Sequence, residues 1–188
     1  MAAPYFSQVL ASQRANGTLF NTYTTAVTVL NPSDLLPIPA NYIQVGSKFR
    51  IRAWGGLSNI VTTPGTVTFQ NVLNGVAVWS SGALQMPNVA NTLSPFLCES
   101  VIRCSAVGNG TTATFIGGGT VIGLTVLLAA GADPTVTDTT LLVPAGAPGN
   151  GTGFNSAATA NLDFFVGFSI SNAGNGVQLY DYTVEQLQ

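Results

Sequence analysis

The sequence predicts an all-β fold, a single antiparallel β-sandwich. Three observations carry this. Beyond the first residues no amphipathic helical stretch of useful length exists. Apolar residues instead recur at every second position, rich in Val, Ile, Thr, Phe and Tyr. Gly, Pro, Asn and Ser punctuate these runs at roughly even intervals, as in sandwiches and barrels.

The elements follow in order. Residues Tyr5 to Arg14 have room for two or three helical turns, or for an extended arm. Thr18 to Leu30, rich in Thr, Tyr, Phe and Val, reads as a strand that Asn31-Pro32-Ser33-Asp34 stops. Pro37 and Pro39 make an extended connection, because a central strand does not tolerate proline. Tyr42 to Trp54 is the next strand, with Phe49, Ile51 and Ala53 alternating with Lys48, Arg50 and Arg52. Thr66 to Leu73 and Val76 to Trp79 flank Asn74-Gly75, the strongest short hairpin signal a sequence offers. Phe96 to Val107 alternates again before Gly108-Asn109-Gly110 turns the chain. Thr111 to Ile116 and Thr120 to Ala129 read as two strands either side of Gly117-Gly118-Gly119, and Val136 to Val143 as another. Ala145 to Ala158 is a Gly/Ala/Pro/Asn-rich loop. Leu162 to Ser171 is a strand with Phe164, Val166, Phe168 and Ile170 on one face, and Val177 to Leu187 closes the chain.

That gives roughly nine or ten strands and no internal repeat, which points to one sandwich of jelly-roll type. The expected organisation is an N-terminal arm over residues 1–17 and a jelly-roll domain over 18–188. A chain of 188 residues fits a single core.

Composition narrows the function. Charged residues make up 6% of the chain, against about 25% in a typical soluble domain. Its five Lys and Arg and seven Asp and Glu leave a net charge of −2, and histidine is absent. The missing imidazole excludes Ser-His-Asp and Cys-His catalysis and His-bound zinc. Five cations neutralise few phosphates, so nucleic acid is not an expected partner. A neutral surface of Thr, Asn, Ser, Gln and Gly gives little repulsion between copies, so association is the expected behaviour.

Cys98 and Cys104 lie six residues apart on one face of a strand, about 20 Å, far beyond disulfide reach. They read as small buried hydrophobes, suited to a reducing cytosol. The N-terminus has no basic region before an apolar run, so no signal peptide is expected. Phe115 to Ala130 is strongly apolar. Its glycines, its length and its lack of flanking Lys or Arg argue against a membrane span, and no membrane partner is expected. The N-x-T sequons at Asn16, Asn109 and Asn150 are expected by chance in so Asn- and Thr-rich a chain.

Chemistry-bearing residues are sparse. The acids Asp34, Glu99, Asp133, Asp138, Asp163, Asp181 and Glu185 show no spacing that singles out a catalytic pair. Asp133 and Asp138 share a loop but lack the spacing of a calcium loop. The triple glycine precedes no Lys-Ser/Thr and no helix, so it reads as a bulge or a close backbone approach, not a phosphate loop. Lys48 is the only lysine, and a Ser-Lys dyad is its least favoured role. No catalytic residue, metal or cofactor is expected, and the chain is not expected to be an enzyme.

Two features stand out. Lys48, Arg50 and Arg52 place three of the five basic residues on one strand face, a stripe suited to an acidic protein surface. The N-terminal segment, with Pro4, Tyr5, Phe6 and Arg14, is an apolar arm suited to docking. Phe165, Tyr180 and Tyr182 read either as part of the sandwich core or as a contact between copies.

The run Gly65-Thr66-Val67-Thr68-Phe69-Gln70 followed by Asn74-Gly75-Val76-Ala77-Val78-Trp79 resembles the central hairpin of phage-type jelly rolls. Phe164 to Ser171 followed by Val177 to Val184 resembles their last two strands. In pattern the likeness covers most of Thr18 to Leu187. Small, histidine-poor jelly rolls of this kind are similar to head decoration (cement) proteins of tailed phages, some of which resemble tumour-necrosis-factor-like trimers. The resemblance implies a homotrimer on the outer surface of a virion, assembled in the host cytoplasm and clamping the lattice of the major capsid protein. It implies no catalytic residues. The alternatives are a receptor-binding or fibre-tip module of a phage tail, or a coat or spike protein of another virus.

Overall fold

The computed structural model describes residues 7–123, 140–144, 146 and 150–187. Two antiparallel sheets pack face to face. The strands are β1 (Ser7–Ser12), β2 (Phe20–Asn21), β3 (Val27–Thr28), β4 (Leu36–Ile38), β5 (Lys48–Asn59), β6 (Thr66–Leu73), β7 (Val76–Ser80), β8 (Leu84–Gln85), β9 (Asn91–Ala106), β10 (Thr114–Gly123), β11 (Thr140–Val143), β12 (Ala160–Phe168) and β13 (Gly176–Leu187). The larger sheet runs β1-β13-β5-β9-β10-β11, with β2 also on β13. The smaller runs β3-β12-β6-β7, with β4 on β12 and β8 on β6. If β1/β2 and β3/β4 are each taken as one interrupted strand, then β1/β2–β13–β5–β9 faces β3/β4–β12–β6–β7. This is jelly-roll connectivity, and β10 and β11 extend the larger sheet.

Alternation builds the core. In β5, Phe49, Ile51 and Ala53 are buried while Lys48 and Arg52 are exposed. In β12, Leu162, Phe164, Val166 and Phe168 point inward. Phe69 of the smaller sheet stacks on Phe96 of the larger at 5.2 Å between ring centroids, and on Phe164 at 6.0 Å. These rings join the two layers by burial and by offset stacking. One polar contact also crosses the core: Asn71 donates from Nδ2 to Ser100 Oγ at 2.8 Å. Asn74 and Gly75 turn the β6–β7 hairpin at φ 46° and 81°, as a type I′ turn requires.

Three expectations are corrected. The long strand over Thr18 to Leu30 is only β2 and β3. Between them the chain leaves the larger sheet and joins the smaller, with Thr22 at φ 64° in the bend. The strand expected from Tyr42 starts instead at Lys48, after a turn in which Ser47 N–H donates to the Gln44 carbonyl, and it continues to Asn59. Of the two readings of the N-terminal arm, the extended one describes Ser7–Ser12, where β1 pairs with β13 as the edge strand of the larger sheet. The triple glycine does not divide two strands. It lies inside β10, opposite Ile102, Val101 and Ser100. A Cβ on Gly117 would stand 2.6 Å from the Val101 carbonyl oxygen, and one on Gly119 would overlap that of Glu99. The close approach of β9 therefore requires glycine at both positions.

Cys98 and Cys104 are unbridged and buried on the inward face of β9. Burial pushes both thiols above their ordinary pKa, and for Cys98 the neighbouring Glu99 charge adds to the rise. Phe115 to Gly123 is strand, and among the described residues no helix is long and apolar enough to cross a membrane.

Candidate interaction surface

The outward positions of β13, β5, β9 and β10 form one lattice, and the sheet register sets its rows. Leu187, Lys48, Arg103 and Ile116 make the first row. Glu185, Arg50, Val101 and Gly118 make the second, and Thr183, Arg52, Glu99 and Thr120 the third. Asp181, Trp54, Leu97 and Ile122 make the fourth.

The two middle rows are neutralised within the sheet. Arg50 Nη1 lies 3.3 Å from Glu185 Oε2, and its Nε lies 3.7 Å from Glu99 Oε1. Arg52 Nε lies 3.0 Å from Glu99 Oε2. Two guanidiniums thus meet two carboxylates. The first row differs. Lys48 and Arg103 are both exposed and stand directly opposite each other in register. No carboxylate among the described residues forms a salt bridge with either.

The fourth row is apolar apart from Asp181 at its β13 end. Trp54 is 45% exposed, and its ring meets Tyr180 edge-on at 5.5 Å between centroids. Arg52, Trp54, Pro95, Phe96, Leu97 and Ile122 line a groove of about 360 Å³. Beside it Leu142 of β11, paired with Thr120, is 78% exposed.

The residues singled out in the sequence are distributed unevenly. Lys48, Arg50 and Arg52 do share one face, as expected. Arg50 and Arg52, however, are already engaged by Glu99 and Glu185, so the stripe is not a run of free cations. Arg103, not singled out, completes the cationic end. Its signal was the alternation of β9, which places Leu97, Glu99, Val101 and Arg103 on the outward side. Only the register shows that Arg103 meets Lys48. Arg14 lies elsewhere, exposed in a trough with Ser33, Asp34 and Leu35 at the β1 edge. Pro4, Tyr5 and Phe6 lie outside the described residues, as do Asp133 and Asp138.

The three candidates for a contact between copies do not converge. Phe165 is half-buried on the outer side of the smaller sheet, between Thr28 and Gln70 in register. Tyr180 lies on the larger sheet against Trp54. Tyr182 is fully buried in the core and is withdrawn as a surface candidate. A bulge in β13 between Leu179 and Asp181 shifts the alternation by one residue, so Tyr180 turns out and Tyr182 turns in. Burial raises the pKa of the Tyr182 hydroxyl, and nearby Asp163 adds to the shift.

Asp163 and Glu99 belong to opposite sheets, so they do not flank a common site. Burial raises the Asp163 pKa, against hydrogen bonds from Thr28 Oγ1 and Phe164 N–H that oppose the rise. Among the described residues no group of three or more His, Cys, Asp or Glu side chains could hold a metal ion.

No protein-family model matches the chain, and no curated protein matches it in sequence. A β-sandwich hosts many unrelated activities, so function is argued from the surface itself.

Proposed function

We propose that this chain is a structural virion protein, a capsid decoration or cement protein that binds an assembled phage head lattice and stabilises it. It acts by binding, without turnover or cofactor. The observation that carries this reading is the outer face of the larger sheet. In a chain with 6% charged residues, that face gathers four of the five basic side chains and places an exposed Trp54 and Leu142 beside them. An apolar patch with a charged end suits a protein partner, with the charges fixing register. A ligand that binds only the assembled shell stabilises it by mass action. A trimer engaging three lattice points multiplies weak contacts through effective concentration. The unbridged, buried thiols suit assembly in a reducing cytosol.

A tail receptor-binding or fibre-tip role is the second reading. Tyr23 and Tyr42, exposed on loops at 45% and 39%, favour it.

Size-exclusion chromatography with light scattering gives the first test, with a mass of three chains expected. Quantitative mass spectrometry of purified virus particles gives the second. A copy number on the scale of the coat subunits supports decoration. A copy number on the scale of a single tail transfers the chain to the second reading. Absence from particles removes both.

A further inference from the structure

We propose that Lys48 and Arg103, together with the Trp54 groove, form a two-point docking site for an extended, acidic segment of a partner protein. The proposal rests on the lattice-binding reading only for which partner carries that segment.

Lys48 and Arg103 form a like-charged pair across β5 and β9. Like charges directly opposite across antiparallel strands destabilise a sheet. The neighbouring rows avoid this cost, because Glu185 and Glu99 face Arg50 and Arg52. The first row retains it, with Lys48 opposite Arg103 and both exposed. A carboxylate seated between them relieves the repulsion. The guanidinium offers a two-pronged donor and the ammonium a point charge. Two cations are too few for a nucleic-acid track, whose affinity grows with each phosphate neutralised.

The second point is the groove. Lys48 and Trp54 are six residues apart on one strand, a separation of about 20 Å. An extended partner segment covers the same span in about six residues, with both anchoring side chains on one side. Its acidic residue then meets Lys48 and Arg103, and an aliphatic residue fills the groove beside Trp54, Leu97 and Ile122. The rows between are internally neutral, so they accept uncharged Ser or Thr and repel neither sign strongly. So small a contact is weak singly and suits repeated docking.

The test uses the full-length protein, isotope-labelled, and a short blocked peptide. The peptide carries two aspartates and, about six residues on, a leucine, with Ser and Thr between. Expected are amide shifts at Lys48, Arg103 and the Trp54 indole, saturating with peptide and weakening with salt. Lys48→Glu with Arg103→Glu should weaken binding about tenfold or more, and so should Asn in place of Asp in the peptide. Both substitutions are on exposed side chains, and an unchanged Tm confirms the fold. The site is overturned by equal affinity of the reversed protein or of the Asn peptide, or by absence of shifts at millimolar peptide. It is equally overturned if a short oligonucleotide or inorganic phosphate alone reproduces the same shifts. Co-sedimentation with capsids separates the two levels. Capsids that bind wild type and the reversed protein equally overturn this site and leave lattice binding standing. Peptide binding without capsid binding supports the site and removes the lattice as its partner.

Discussion

The two outer faces of the sandwich are built on the same alternation and differ in everything else. On the larger sheet the outward positions hold Lys48, Arg50, Arg52, Arg103, Glu99, Glu185 and Asp181, with Trp54, Leu97 and Ile122 at one end. On the smaller sheet they hold Thr66, Thr68, Gln70, Asn161, Phe165 and a single acid, Asp163. Their inward positions are equally apolar. Folding therefore demands the inner faces and leaves the outer ones free. Exposed ion pairs contribute little stability, typically under about 1 kcal/mol. The concentration of charge on one face is thus not explained by stability, and it is the observation on which the proposed binding role rests.

The comparison is broken most severely from within. Phe69→Ala removes the ring that stacks on both Phe96 and Phe164, and should cost about 4 kcal/mol in urea unfolding. Both faces would be lost together, because the two sheets share that core.

Glycine substitutions in β10 come next, and they act on the larger sheet. Gly119→Val would drive a side chain into the Glu99 carbonyl, with Ser100 Cα at 3.0 Å from the new Cβ, and should cost about 3 kcal/mol. Gly118→Ala points outward, where the nearest atom stands 3.7 Å away, and should change stability by less than about 0.5 kcal/mol. Equal effects of the two would mean that β9 and β10 are not so closely opposed.

The smaller sheet offers a pH test. Burial raises the Asp163 pKa in the fold, so its contribution to stability is full below the unfolded pKa and falls as pH rises through the folded value. Asp163→Asn keeps an Oδ1 acceptor for Thr28 Oγ1 and the Phe164 N–H. The variant should melt above wild type at pH 7, and the gap should close as pH falls below the ordinary carboxylate range. A gap independent of pH in thermal scans would show that Asp163 titrates normally.

The smallest expected effect sharpens the contrast most. Glu99→Gln removes the shared partner of Arg50 and Arg52, at a cost of under about 1 kcal/mol. It also frees the Arg52 guanidinium on the docking face, while Arg50 keeps Glu185, so acidic peptide should bind more tightly than to wild type in the same titration. Unchanged affinity would confine recognition to Lys48 and Arg103.

Much of the architecture was legible before any coordinate. The alternation of Phe49, Ile51 and Ala53 with Lys48, Arg50 and Arg52, the Asn74-Gly75 turn and the inward face of Phe164, Val166 and Phe168 depend on neighbours within a few residues. The errors fell where a distant strand intervened. Nothing local marks the crossing between β2 and β3 from one sheet to the other. The bulge that turns Tyr182 inward is visible only against β5. The glycines of β10 resemble a break until β9 is set against them.

The candidate surface divides in the same way. The sequence by itself determined an all-β chain, which residues of each strand share a side, and a low-charge exterior, because a strand's side chains alternate by covalent geometry alone. The tertiary structure alone decided that Arg103 stands beside Lys48, that Glu99 and Glu185 neutralise the arginines between, and that Trp54 lines a groove in the same face. Those facts depend on strand order and register, which arise from burying two sheets against each other across the whole length of the chain.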